Sequence, residues 1–168
     1  KGTNIFAVTD HFDTESFIDF DVFQPIKNSV EKVRKLNEKY NGQSLILSGI
    51  EISEGFHLPN IFEKAIKMLN YDVVIGSVHI IHYNELDYAY SKIDFSKLSK
   101  NTILNYLDMY FDDILKMINL TDFDILAHLT CPLRYIVGKF KIKIDLSLFE
   151  EKIEKILQQI IKKGIALE

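Results

Sequence analysis

A chain of 168 residues that is 47% hydrophobic can bury a core of its own, so one domain over residues 1–168 is the expectation. Its 20 basic and 24 acidic residues give a net charge of −4 and are interspersed, with no basic stripe; this argues against a nucleic-acid partner and for a small soluble ligand. The single cysteine, Cys131, excludes an intrachain disulfide, and no apolar run reaches the roughly 18 residues of a membrane span, so a cytoplasmic setting with no membrane partner is expected.

The chain begins Lys1-Gly2-Thr3, without an initiator Met or a secretory leader, and enters an apolar segment at once, which reads as the interior of a longer protein. Asn4–Thr9 is a short apolar run expected to form a strand buried on both faces. From about Pro25 to Tyr40, Ile26, Val30, Val33 and Leu36 recur near helical spacing, and Asn41-Gly42 supplies a stop. Leu45–Ile50 reads as a second strand, Leu58–Leu69 as a helix and Asp72–Val78 as a third strand. After a polar stretch, Thr102–Ile118 carries Ile103, Leu107, Tyr110, Phe111, Ile114 and Ile118 on one helical face. Phe123–Ala127 is a fourth apolar strand, Leu146–Lys163 a helix, and the last five residues a fifth strand. Five strands alternating with four amphipathic helices predict a parallel α/β fold, an α/β barrel or part of one.

Chemistry-bearing residues fall where this reading ends its strands. Asp10-His11 follows the first, Glu51 the second, His79 the third and His128 the fourth. In α/β barrels the carboxyl ends of the strands converge on the active site, so residues distant in sequence can meet around one pocket. Imidazole and carboxylate are ligands of Zn, Mn or Fe, ions that assist hydrolysis. Taken singly, each residue has a plainer reading: a strand-end His as a hydrogen-bonded structural residue, Asp10 as a turn cap, Glu51 as a solvated loop carboxylate. A charge at Glu51, directly after Leu45-Ile46-Leu47-Ser48-Gly49-Ile50, would be costly unless paired or bound to a cation.

The stretches Ala7-Val8-Thr9-Asp10-His11, Gly49-Ile50-Glu51, Gly76-Ser77-Val78-His79 and Phe123-Asp124-Ile125-Leu126-Ala127-His128 resemble, in order and spacing, successive motifs of the polymerase-and-histidinol-phosphatase (PHP) family. The tracts from Gly76 through Asp87 and from Phe123 to Tyr135 resemble its histidinol-phosphatase branch in particular. The resemblance implies a PHP-type distorted (β/α) barrel holding two or three divalent metal ions, Zn, Mn or Fe. It implies His11, Glu51, His79 and His128 as ligands, with Glu51 bridging two ions, and Asp10 just behind them. It also implies Arg134 as the contact to a phosphoryl group, for which a planar guanidinium suits paired hydrogen bonds, and His82 at the substrate. Arg134 as a surface ion-pair residue and His82 as a polar rim residue are the plainer readings, and His57 reads as a helix-start residue.

Neither the family's opening His-x-His pair nor its late Asp-x-His motif is present, so an incomplete barrel lacking several ligands is expected, with exposed sheet edges that could pair two copies. Three functions are open to such a chain. The first is a metal-dependent phosphomonoesterase acting on L-histidinol phosphate in histidine biosynthesis. The second is a PHP-type nuclease, against which the acidic balance counts. The third is a non-catalytic fragment or assembly module. Cys131, between Thr130 and Pro132, has no recognisable activating pair and is not expected to act as a nucleophile.

Overall fold

A computed structural model describes residues 4–15 and 23–168. Its elements are strand β1 (Ile5–Asp13), helix α1 (Phe23–Lys39), β2 (Leu45–Ser53), α2 (Pro59–Met68), β3 (Val73–Ser77), α3 (Lys100–Leu120), β4 (Ile125–Leu126), the short α4 (Cys131–Leu133), α5 (Glu150–Lys163) and β5 (Ala166–Leu167). A π-helical turn, Arg134–Lys139, continues α4, and a 3₁₀ turn, Leu146–Phe149, leads into α5. The strands form one open sheet in chain order, β1-β2-β3-β4-β5. Parallel pairing runs from Ile5↔Leu45 to Asp13↔Ser53 and from Gly49↔Val73 to Ser53↔Ser77. This is the strand-helix alternation expected of an unclosed portion of an α/β barrel. Among the described residues no helix is long and apolar enough to cross a membrane.

The chain divides into two compact units, one containing the described residues up to Ser77 with Thr121–Ile125, the other Val78–Leu120 with Leu126–Glu168. The first is organised by the two-residue period of its strands. Phe12, Ile50 and Ile52 point one way and are fully buried with Ile26 of α1 and Phe62 and Ala65 of α2. Burying one such side chain is worth about 1.5–3 kcal/mol. Helix α2 presents Ile61, Phe62, Ala65 and Ile66 at helical spacing, and Pro59 starts it where a missing amide hydrogen costs nothing.

The second unit is built on α3, whose Ile103, Tyr106, Leu107, Tyr110, Phe111, Ile114, Met117 and Ile118 are all buried. Helix α5 packs along α3 through Ile156 and Ile160, and Lys152 reaches Asp108 and Asp112 on α3 at 2.7 Å each. Gly164, with φ of 71°, ends α5 in the left-handed conformation that glycine adopts without strain.

Three features differ from the sequence reading. The first strand is not buried on both faces: Phe6 and Val8 are exposed on the helix side, where α1 packs mainly on β2, and Ile5 is exposed on the opposite side. β1 runs four residues and β2 three residues further than their apolar runs, so His11 and Glu51 lie within the paired strands and not after them. The stretch between His79 and α3, read as polar, buries Tyr90, Ile93 and Phe95 on two 3₁₀ turns.

Gly49 lies in β2 between Thr9 of β1 and Val73 of β3. A methyl group there would sit 2.7 Å from the Val73 carbonyl oxygen and 2.8 Å from Thr9 Cγ2. Gly49→Ala is expected to cost about 1–3 kcal/mol, seen as a lower urea midpoint with an unchanged slope.

Candidate metal centre

Register places the first pair of candidate ligands. His11 and Glu51 are partners across β1 and β2, so their side chains leave the same face, and His11 Nδ1 lies 3.6 Å from Glu51 Oε2. Two residues on, Asp13 and Ser53 repeat the pairing on that face, with Ser53 Oγ donating to Asp13 Oδ1 at 2.7 Å. Buried Thr14 then donates to the carbonyls of Ser53 and Glu54 at 2.9 and 3.2 Å, and the Glu54 amide donates to the Ser77 carbonyl at 3.1 Å. These bonds latch the strand ends, with Glu54 held at φ of 47°.

Asp10, expected just behind the ligands, lies on the opposite face, because the pleat turns it to the side shared by Phe12. Its Oδ2 is buried, with no hydrogen-bond partner among the described residues. Burial first, and the Asp10 carboxylate second, push the Tyr71 phenol up to about 12. His57 lies in the turn before α2, and its Nδ1 is 2.6 Å from Glu15 Oε1, a partner 42 residues away that no local sequence signal announces.

In the other unit, His79 follows β3 and His128 follows β4, each by two residues. Their rings stack at 5.2 Å and their Nε2 atoms are 3.3 Å apart. Two imidazole nitrogens at about 2.0–2.1 Å from a single tetrahedral ion are separated by about 3.3–3.4 Å. The pair thus fits a divalent cation, and equally a shared proton in an N–H···N bond. His128 has φ of 31°, in the left-handed region that a β-carbon disfavours. Its carbonyl accepts from the Cys131 amide at 2.8 Å and from Tyr110 Oη at 3.3 Å.

His128 also lines a pocket of about 610 Å³ with Cys131, Arg134, Val137, Ile144 and Leu146, within the size range of small-molecule sites. Arg134 stands at the head of the π-helical turn, exposed, with no carboxylate partner among the described residues. Cys131 takes part in a side-chain hydrogen bond with buried Tyr90, whose phenol is held protonated by burial first and by that bond next. His82 is exposed and paired with Asp87. The tyrosines around His79 and His128 were not singled out as site residues in the sequence reading, because Tyr110 belongs equally to the apolar stripe of α3.

The PHP domain profile matches residues 1–168. The chain belongs to the PHP-domain family. A search of curated proteins finds no match by sequence. Two solved structures share the PHP chain's fold. One is histidinol phosphate phosphatase from Lactococcus lactis subsp. lactis Il1403, complexed with Zn, L-histidinol and phosphate, with a TM-score of 0.73, 18% identity, and 99% of this chain and 61% of that one covered. The other, from Listeria monocytogenes, is assigned as a histidinol phosphatase and gives a TM-score of 0.69, 14% identity, and coverage of 98% and 70%. The chain thus spans about three fifths of the length of the Lactococcus protein.

The folded protein holds the Tyr71 proton more tightly than the unfolded chain, so the associated stability is complete below pH 10 and is lost as pH rises from about 10 to 12. A phenolate absorbance titration, compared with Tyr71→Phe, should show this tyrosine ionising near pH 12. Asp10→Asn should lower its pKa while leaving it above the ordinary value, since burial is the larger cause.

Proposed function

We propose that this PHP domain forms the metal-binding part of a phosphomonoesterase, with L-histidinol phosphate of histidine biosynthesis as its substrate. The observation that carries the reading is the 3.3 Å separation of His79 Nε2 and His128 Nε2, the spacing of two ligands on one ion. The His11–Glu51 pair on one sheet face, the family membership and the ligands of the Lactococcus structure support it. On this reading His11, Glu51, His79 and His128 hold two or three ions of Zn, Mn or Fe. Bound there, such ions supply Lewis acidity toward a phosphoryl oxygen and activate water near neutral pH.

The protein's own groups orient the ester. Arg134, with no carboxylate partner among the described residues, can direct two N–H bonds to the phosphoryl oxygens and offset the charge that gathers on them during transfer. The carboxylate of Glu51, only 14% exposed, has two oxygens, which suits it to hold two cations at once. On this reading His82 approaches the substrate from the loop after His79. Cys131 takes no covalent part.

Phosphate release from L-histidinol phosphate by the intact protein, loaded in turn with Mn, Zn or Fe, tests the assignment. Glu51→Gln should lose metal and turnover together. Arg134→Ala should lower kcat/KM by roughly a hundredfold, as expected for loss of a charge-stabilising contact, with metal content unchanged. Cys131→Ser should turn over normally, and a thousandfold loss there would overturn the mechanism. Wild-type metal retention and activity in Glu51→Gln would remove the proposed centre.

A further inference from the structure

We propose that Tyr110 is a positioning residue of the metal centre, acting through the backbone of His128; this rests on His128 being a ligand. His128 occupies a left-handed backbone conformation, at φ of 31°, that a non-glycine residue keeps only where its surroundings hold it there. Two donors meet its carbonyl oxygen. The Cys131 amide belongs to the local turn, whereas the Tyr110 hydroxyl arrives from α3, 18 residues away in sequence.

Tyr110 is itself fixed. It is 1% exposed and stands edge-on to Tyr90, with ring centres 6.4 Å apart and planes at 86°. Tyr90 in turn stands edge-on to the His79 ring at 6.0 Å, and its amide donates to the His79 carbonyl at 3.1 Å. One buried aromatic pair therefore reaches the backbone of both histidines whose Nε2 atoms lie 3.3 Å apart. With its oxygen held from two directions, the planar peptide that follows His128 has little freedom to turn about the Cα–C bond, so the Tyr110 bond helps keep the strained backbone from which the imidazole departs in place. Groups that orient a ligand from behind govern metal affinity, and their loss typically costs tenfold to a hundredfold.

Tyr110→Phe removes one oxygen and keeps the ring. The measurement is Zn affinity of the intact protein by chelator competition, in wild type, Tyr110→Phe, His128→Ala and the double variant, with the thermal midpoint of each apoprotein recorded in chelator. Tyr110→Phe should bind Zn about tenfold more weakly at a nearly unchanged midpoint, and should add nothing further in the His128→Ala background. Replacement of Tyr110 by 4-aminophenylalanine, which restores a donor at the same place, should recover affinity.

Wild-type affinity in Tyr110→Phe, an equal loss with and without His128, or a variant that no longer folds would each overturn the assignment; the last would make Tyr110 a core residue and nothing more. If His128→Ala itself binds Zn normally, the error lies in the ligand assignment and the metal-centre reading falls first.

Discussion

The pairing of β1 with β2 in register, His11 opposite Glu51, is the constraint on which the first half of the proposed centre depends. Strand side chains alternate with a period of two, so a slip of one residue would exchange the faces. His11 would turn toward the helices and Phe12 away from them. The slip is opposed by the burial of Phe12, Ile50 and Ile52 against Ile26, Phe62 and Ala65. Apolar packing on one face thus sets the place of polar chemistry on the other, and the energy comes from residues that never touch a ligand. Gly49 belongs to the same constraint, since the close approach of Val73 and Thr9 leaves no room for a side chain.

The second unit reaches a similar end by different means. β4, which precedes His128, is only two residues long, too short for a ladder to orient the chain there. That histidine is placed instead by a turn, by a left-handed backbone angle and by a hydroxyl from the long helix α3. Here the rigid element is the helix, anchored by eight buried side chains that are apolar or aromatic and by α5 along its flank.

The alternation of strands and helices was legible because each apolar run is short, bounded and of one period. The ends of β1 and β2 were not, because pairing continues through Asp10, His11, Glu51 and Ser53, polar residues that look like loop when hydrophobicity is the guide. The side on which Asp10 falls depends on counting the pleat from a known register, and the sequence alone supplies no starting point. His11, Glu51, His79 and His128 stood out through their short motifs and order. Glu15 and Tyr110 did not, since each meets its partner, His57 or His128, only through the tertiary fold. A buried tyrosine on an amphipathic helix carries no mark that separates a hydroxyl with a task from one that is simply satisfied.

The π-helical turn at Arg134–Lys139 holds one residue more than an α-helical path of the same form would need. Each residue turns a helix by about 100°, so that surplus residue sets the direction in which the guanidinium at the head of the turn departs relative to the chain after it. The number of residues in this segment, as well as their identity, therefore fixes its geometry. Loss of one residue within Tyr135–Lys139 would redirect the chain that follows Arg134, which lines one pocket with His128, even with every remaining side chain unchanged.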